Sequence, residues 1–291
     1  MQNLEIPEFK IRCSAIGKIM TEPQGKSVEQ KIQDAKTVLA ETVIKRDATR
    51  PELKTYSNLC AKILKIEAEI ADLEKQKGKP RLSKTCVSFL ESWVNEFVYQ
   101  RRIEVTSKTM DKGNIVEDDA IIYASGHVKE MGLSSKNAQK FRNDWAQGEP
   151  DVISDEYVFD TKCSWSHDTF PLYSTELPES DYDWQVKGYM ALTGKTKGRV
   201  VFVLMSMPEE MIQKEARWKL GAEFTREEYE KFAAQFRYDD LPAYLRIKEY
   251  EVEHDESAIE AIKKRVSECR AYINNTIIPA LEINAKKYQK I

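Results

Sequence analysis

The chain has few of the residues that stabilise small extracellular domains or bind structural metals. Its 291 residues include five cysteines and three histidines, and no two cysteines have the C-x-x-C spacing. An odd number of scattered cysteines indicates neither a disulfide framework nor a zinc site. We therefore expect the cysteines to be reduced side chains without a ligand.

Long apolar runs and a net positive charge are also missing. No apolar stretch approaches the ~20 residues that cross a bilayer, and the first five residues lack a signal-peptide charge pattern. We therefore expect a cytoplasmic protein. The formal charge of -3 does not forbid binding to nucleic acid if basic residues line one groove.

Two segments rich in strand-forming residues carry the most informative polar side chains. Asp151 begins a short strand, residues 154–156 can turn, and residues 157–165 predict a longer strand. Because alternate side chains of a strand share a face, Asp160 and Lys162 point the same way. Folding the hairpin back brings Asp151 near Asp160. Two such acids could share one divalent cation, and hard oxygen ligands suit Mg²⁺ or Mn²⁺.

Taken alone, this Asp-x-Lys hairpin is a weak signal, because an ordinary surface hairpin can carry the same residues. An upstream helix strengthens it. We predict that this helix begins after Gly113, ends near Ser125, and buries the three isoleucines Ile115, Ile121 and Ile122. Glu117 could then reach a neighbouring sheet. The alternative is a solvated acidic turn near a helix N-terminus.

A second helix and a strand follow the hairpin. The helix is predicted to be capped by Asp181 and to stop at Gly194. Gln185 and Tyr189 are four residues apart and share a face of this helix, as a functional pair or as core-edge packing. Residues 198–205 form a continuous apolar run, which predicts a buried central strand.

The order of these motifs resembles the PD-(D/E)XK nuclease superfamily. The motifs are Glu117, Glu149-Pro-Asp151, Asp160-Thr-Lys162 and Gln185-x-x-x-Tyr189. The branch that they resemble is that of phage recombination exonucleases and RecB-type nuclease domains, and within it the lambda-exonuclease-like, YqaJ-type enzymes. The resemblance covers residues 82–206 well. Family members often have Glu where this chain has Asp160, a shorter variant that the family admits.

The resemblance implies roles for these side chains. Asp151 and Asp160 would bind one or two Mg²⁺ or Mn²⁺ ions together with the carbonyl of Thr161, and Glu117 would bind directly or through water. Lys162 would orient or deprotonate the attacking water. The helix pair, Gln185 and Tyr189, would support the hairpin and contact substrate.

The resemblance also implies the function. We expect a metal-dependent deoxyribonuclease, a 5′-to-3′ double-stranded DNA exonuclease for phage-type recombination or end resection. DNA ends, a single-strand annealing protein and a homotrimeric ring are the implied partners, in a bacterial host cell with the gene carried by a phage or prophage. The cysteine triplet of iron–sulfur nucleases is missing, so we expect no cluster. Alternatives are a structure-selective endonuclease and a non-catalytic DNA-binding or assembly module on the same fold.

Several residues are candidates for contacts with DNA phosphate. Arg12 and Ser14 lie in a segment that resembles the early Arg/Ser segment of these exonucleases, where a terminal phosphate is captured. Lys108 and Lys112 precede Glu117. The alternative for each is an ordinary structural or solvated side chain.

We expect one α/β nuclease domain over residues 1–291, with a restriction-endonuclease-like core at residues 82–206. Its mixed central sheet would be flanked by helices. Residues 27–79 predict a charged helical hairpin insertion, which could clamp DNA, contact another subunit or cover the core. Residues 207–291 predict a C-terminal helical extension with an edge strand at 245–253 and a helix from Glu256 to Ile291.

Overall fold

The computed structural model describes residues 6–78, 81–104 and 106–288. The chain divides into two compact units. One comprises Glu22–Lys84, and the other comprises Met1–Thr21 with Thr85–Ile291. In chain order the elements are β1 (Ile11–Arg12), α1 (Ile16–Met20), α2 (Val28–Asp47), α3 (Lys54–Glu74), α4 (Lys84–Val98), α5 (Lys108–Ser125), β2 (Phe141–Arg142), β3 (Ala146–Gly148), β4 (Val152–Ile153), β5 (Tyr157–Cys163), α6 (Ser180–Thr193), β6 (Lys197–Val203), α7 (Glu209–Leu220), α8 (Arg226–Ala233), β7 (Ile247–Glu253), α9 (Glu256–Tyr272) and α10 (Ile278–Tyr288).

The smaller unit contains the predicted helical hairpin. Helices α2 and α3 pack against each other. Ser27 caps α2 through a reciprocal capping box with Gln30, which satisfies two backbone N–H groups at the helix start. Both helices lie within residues 27–79, so the predicted helical hairpin is confirmed.

A four-stranded mixed sheet forms the centre of the larger unit. Its order is β4-β5-β6-β7, with β5 and β6 parallel and the outer pairs antiparallel. Strand β6 therefore lies in the interior of the sheet and β7 at its edge, as the apolar run and the alternating pattern predicted. The predicted α/β class with a mixed sheet is confirmed.

Helices cover both faces of this sheet. Ala120 and Ile121 of α5 join Phe159 of β5 and Val201 of β6 in one buried cluster. Helix α6 covers the other face and approaches β6 closely at Gly198, where an added Cβ would lie 2.3 Å from Val186 Cγ1. The result is an α/β/α arrangement, in which successive side chains along each strand pack against helices on opposite faces of the sheet.

Helix α5 differs in detail from the prediction. It begins at Lys108, capped by Ser107, and it ends at Ser125 as expected. Ile121 is fully buried, but Ile115 and Ile122 are 59% and 60% exposed, so their predicted burial is wrong. The buried stripe instead includes Val116 and Ala120, which are four residues apart and share a helix face.

A small second sheet was not predicted. Strand β1 pairs in parallel with β3, and β2 pairs antiparallel with β3. This pairing brings the segment after Ile11 beside Gly148, where a Cβ would lie 2.8 Å from both Cys13 Sγ and Tyr189 Cε1. Glycine is needed there because two side chains already fill the space.

The C-terminal part of the chain follows the prediction in outline. A break at Gly221 separates α7 from α8, and β7 precedes α9. The terminal helix changes to a π-helical turn at Ile273–Ile277, just before Pro279. The predicted helix end at Ile291 lies outside the described residues. Among the helices that the structure describes, none is long and apolar enough to cross a membrane.

Candidate active site

The hairpin formed by β4 and β5 places two acids side by side. Val152 pairs with Phe159 in antiparallel register, so the next position outward sets Asp151 opposite Asp160. The Thr161 backbone N–H donates to Asp151 Oδ2 at 2.6 Å. The two carboxylates are buried, at 9% and 1% exposure. The sequence prediction that these acids meet is confirmed.

Helix α6, on the sheet face opposite α5, holds Asp160 in place through Gln185. Gln185 Nε2 donates to Asp160 Oδ1 at 2.7 Å and lies 2.8 Å from the hydroxyl of Tyr189. Both residues project from the same face of α6, as their spacing predicted, and both are buried. Gln185 therefore links the helix to the strand that carries Asp160.

The two ends of α6 only partly follow the prediction. The helix begins at Ser180 with Glu179 as N-cap, so the predicted Asp181 cap is wrong, while the stop at Gly194 is confirmed.

Lys162 completes this polar group. Its Nζ lies 2.8 Å from Asp160 Oδ2 and 3.5 Å from Gln185 Oε1. Burial lowers the pKa of Lys162, but the Asp160 carboxylate outweighs burial, so the pKa is raised above its ordinary value. The ammonium therefore stays charged beside the acid.

The two carboxylates have raised pKa values. Burial and the neighbouring Asp160 charge raise the pKa of Asp151 to about 8. Burial likewise raises the pKa of Asp160, although Lys162 opposes this. Without a further cation the pair therefore carries less negative charge near neutral pH than two ordinary carboxylates would.

Glu117 lies near these acids but does not join them. It lines a cavity of 410 Å³ together with Thr161 and Lys162, and its carboxylate pairs with Lys136. Its charge contributes to the raised pKa of Asp151. Within the described ranges, no group of three or more His, Cys, Asp or Glu side chains is arranged to hold a metal ion.

The donor set that is present fits a hard divalent cation. Asp151 and Asp160 supply carboxylate oxygens, the ligands that Mg²⁺ and Mn²⁺ prefer. Their burial and raised pKa values are the features that a bound cation would offset. Glu117 would have to exchange its pairing with Lys136 to contribute as a third ligand.

Tyr189 lines a second cavity. Its volume is 490 Å³, and its lining includes Arg12 and Ser14 together with Lys140 and Arg142. The small sheet brings these residues together, because β1 and β2 both pair with β3. Lys140 and Arg142 were missed, because isolated basic residues form no recognisable pattern in a single sequence.

The two lysines ahead of Glu117 differ sharply. Lys112 is fully buried, and its Nζ donates to the carbonyls of Ser164, Trp165 and Met205 at 2.8, 2.9 and 2.7 Å. These bonds use all three hydrogens of the ammonium, so the structure argues against the predicted phosphate contact.

The other lysine, Lys108, remains on the surface. Its Nζ lies 2.5 Å from Glu215 Oε1 and 5.2 Å from the centre of the Trp218 ring. Both its partners belong to α7, so Lys108 links the start of α5 to that helix. Its contact with DNA stays a prediction.

Tyr182 is a site residue that the sequence analysis missed. Its ring centre lies 4.8 Å from Lys162 Nζ, and the ring lines the same cavity. The residue precedes Gln185 by three positions, a spacing that places both side chains on one helix face. That spacing was the available signal.

Comparison with solved structures gives the fold an independent reference. A phage-related exonuclease from Haemophilus somnus 129PT superposes with a TM-score of 0.63 and 23% identity, covering 94% of this chain and 97% of that chain. An alkaline exonuclease from Laribacter hongkongensis superposes with a TM-score of 0.54 and 13% identity, covering 95% and 94%. The same enzyme in complex with dAMP gives a TM-score of 0.53 at 14% identity.

These similarities define the fold. The chain has the fold of these exonucleases over most of its length, and the predicted likeness to phage exonucleases is confirmed at that level. No protein-family model and no curated protein sequence matches the chain.

Proposed function

We propose that the chain is a metal-dependent deoxyribonuclease with a restriction-endonuclease-like core, and specifically a 5′-to-3′ exonuclease on double-stranded DNA. The observation that carries this proposal is the largely buried group formed by Asp151, Asp160, Lys162 and Gln185. Within this group, Lys162 lines the cavity that also contains Glu117. The exonuclease fold of the structures described above supports it.

The proposed chemistry assigns each side chain a task. Asp151 and Asp160 would hold Mg²⁺ or Mn²⁺, which when bound supplies positive charge for the phosphate and lowers the pKa of a water molecule. The Thr161 N–H and Gln185 keep the two carboxylates oriented. Lys162 balances charge on the scissile phosphate and orients the attacking water.

The cavity of Arg12 and Ser14 supports action at a DNA end. Three cationic side chains, Arg12, Lys140 and Arg142, line this cavity together with one acid, Glu149, and the excess of positive charge suits a terminal phosphate. Tyr189 also lines the cavity, and Gln185 links it to Asp160 by hydrogen bonds. A strand whose 5′-phosphate lies in this cavity would place the next phosphodiester towards Asp160. The relative from Laribacter hongkongensis binds dAMP, and we propose a nucleoside 5′-monophosphate as the product here.

Digestion of two DNA substrates tests this proposal. Wild-type protein is incubated with end-labelled linear duplex and with a covalently closed circle of the same sequence, in Mg²⁺ and in EDTA. We expect release of 5′-mononucleotides from the linear duplex in Mg²⁺ and no cutting of the circle. Nicking of the circle would favour the endonuclease instead, while binding without any cleavage would favour the non-catalytic module.

A further inference from the structure

The ammonium of Lys162 is enclosed on three sides. Asp160 Oδ2 and Gln185 Oε1 contact it at 2.8 and 3.5 Å. On the cavity side, the ring of Tyr182 lies with its centre 4.8 Å from Nζ. This distance is within the range of a cation–π interaction, which favours a fixed position of the charge over the ring face.

Tyr182 is itself held in place by packing. Its ring meets Phe202 of β6 edge to face, with centres 5.9 Å apart and planes at 67°. It projects from the first turn of α6, one helical turn before Gln185. The same helix therefore supplies two of the three groups that surround the ammonium.

We propose that Tyr182 is a positioning residue that holds the Lys162 side chain in its working place. This inference rests on the proposed function. A lysine stem has four rotatable bonds, and an exposed cavity beside it would allow the ammonium to swing away from Asp160. The ring closes that side and contributes by placing the charge, without contacting the reacting atoms.

The test compares variants that keep or remove the ring. Tyr182→Phe keeps the ring and is expected to retain nearly full activity. Tyr182→Leu removes it and is expected to lower kcat about tenfold, the size of a partly desolvated cation–π contact, with KM unchanged. Trp184→Leu is the matched control, because Trp184 lies on the same helix and its ring also lies near a lysine, Lys187, at 5.6 Å. Thermal unfolding of each variant checks the fold.

A second comparison uses a background without the ammonium. In single-turnover cleavage by Lys162→Met protein, adding Tyr182→Leu should cause no further loss, because the cation that the ring holds is gone. An equal loss in both backgrounds, or a rise in KM with kcat unchanged, would overturn the proposal and identify the ring as a surface for a DNA base. Wild-type protein that does not cleave DNA would refute the proposed function instead.

Discussion

The carboxylates of Asp151 and Asp160 lie side by side in a buried hairpin. Lys162 of the same strand and Gln185 of α6 both contact Asp160. Burial makes the charged forms costly, while Lys162 and the Thr161 N–H favour them. Lys162 and the Thr161 N–H therefore offset only part of the negative charge of the two carboxylates. A divalent cation is the chemical partner that such a pair fits.

The raised pKa of Asp151 gives the first prediction. Its folded pKa of about 8 lies above the ordinary value of 3.8, so ionisation opposes folding. The metal-free protein should therefore lose stability as pH rises through this interval. Asp151→Asn cannot ionise, and its amide oxygen can still accept from the Thr161 N–H.

Thermal unfolding in EDTA at about pH 6 and about pH 9 measures this effect. As pH rises, the melting temperature of Asp151→Asn should increase relative to that of the wild type. At the higher pH, adding Mg²⁺ should make this difference in melting temperature smaller. Asp155→Asn, in the exposed turn of the same hairpin, is the control. If the difference in melting temperature between Asp151→Asn and wild type stays constant with pH, the pKa of Asp151 is not raised in the folded protein.

Helix α5 and the ends of β5 and β6 are joined by Lys112. Its ammonium bonds to three backbone carbonyls in a fully buried position. Burial lowers the pKa of Lys112 to about 8, which remains above neutrality. The bridge therefore holds the helix that carries Glu117 against the strand that carries Asp160.

Lys112→Met removes this bridge and leaves three buried carbonyls without their donor. We expect a loss of about 3 kcal/mol or more in the free energy of unfolding, measured by urea denaturation. Lys108→Met, at the exposed start of the same helix, should change it by less than about 1 kcal/mol. Equal stability of the two variants would show that the three carbonyls are satisfied in another way.

Elements with strong local signals were predicted well. The hairpin register could be predicted because a turn at residues 154–156 connects two strand-forming segments whose side chains alternate. Gly194 marks the end of α6 with a positive φ of 73°, which glycine adopts without strain. The central strand β6 was visible as an apolar run, because both of its faces are covered by helices.

Other elements carried no such signal. The small sheet was missed because strands of two or three residues show no periodicity. The start of α5 was placed too late, because Gly113 was taken as a helix boundary when it lies inside the helix. Lys112 was taken for a surface residue, since only the tertiary structure brings the three carbonyls to it.

At the scale of the whole molecule, side chains of the site line two different cavities. One contains Glu117, Lys162 and Tyr182, and the other contains Arg12 and Ser14. Asp160, Gln185 and Tyr189 form a hydrogen-bonded row that reaches the second cavity through Tyr189. A strand end held by its phosphate in one cavity would extend past the carboxylates into the other.

This arrangement predicts a preference for phosphorylated ends. Wild-type protein should degrade 5′-phosphorylated duplex about 10- to 100-fold faster than duplex with a 5′-hydroxyl, the value of a charge-assisted contact. Arg12→Ala should remove this preference, whereas Arg101→Ala, an exposed control, should keep it. Equal rates on both ends with wild-type protein would refute a phosphate-binding role for the Arg12 cavity.

The metal-dependent site is tested by the rate of nucleotide release from linear duplex DNA in Mg²⁺, measured for the wild-type, Lys162→Met and Lys187→Met proteins. Lys187 pairs with Asp183 on α6 and serves as the matched lysine control. We predict metal-dependent release by the wild-type and Lys187→Met proteins and a loss of at least about 100-fold for Lys162→Met. Equal rates for all three proteins, or release that persists in EDTA, would contradict a metal-dependent site built on Asp151, Asp160 and Lys162.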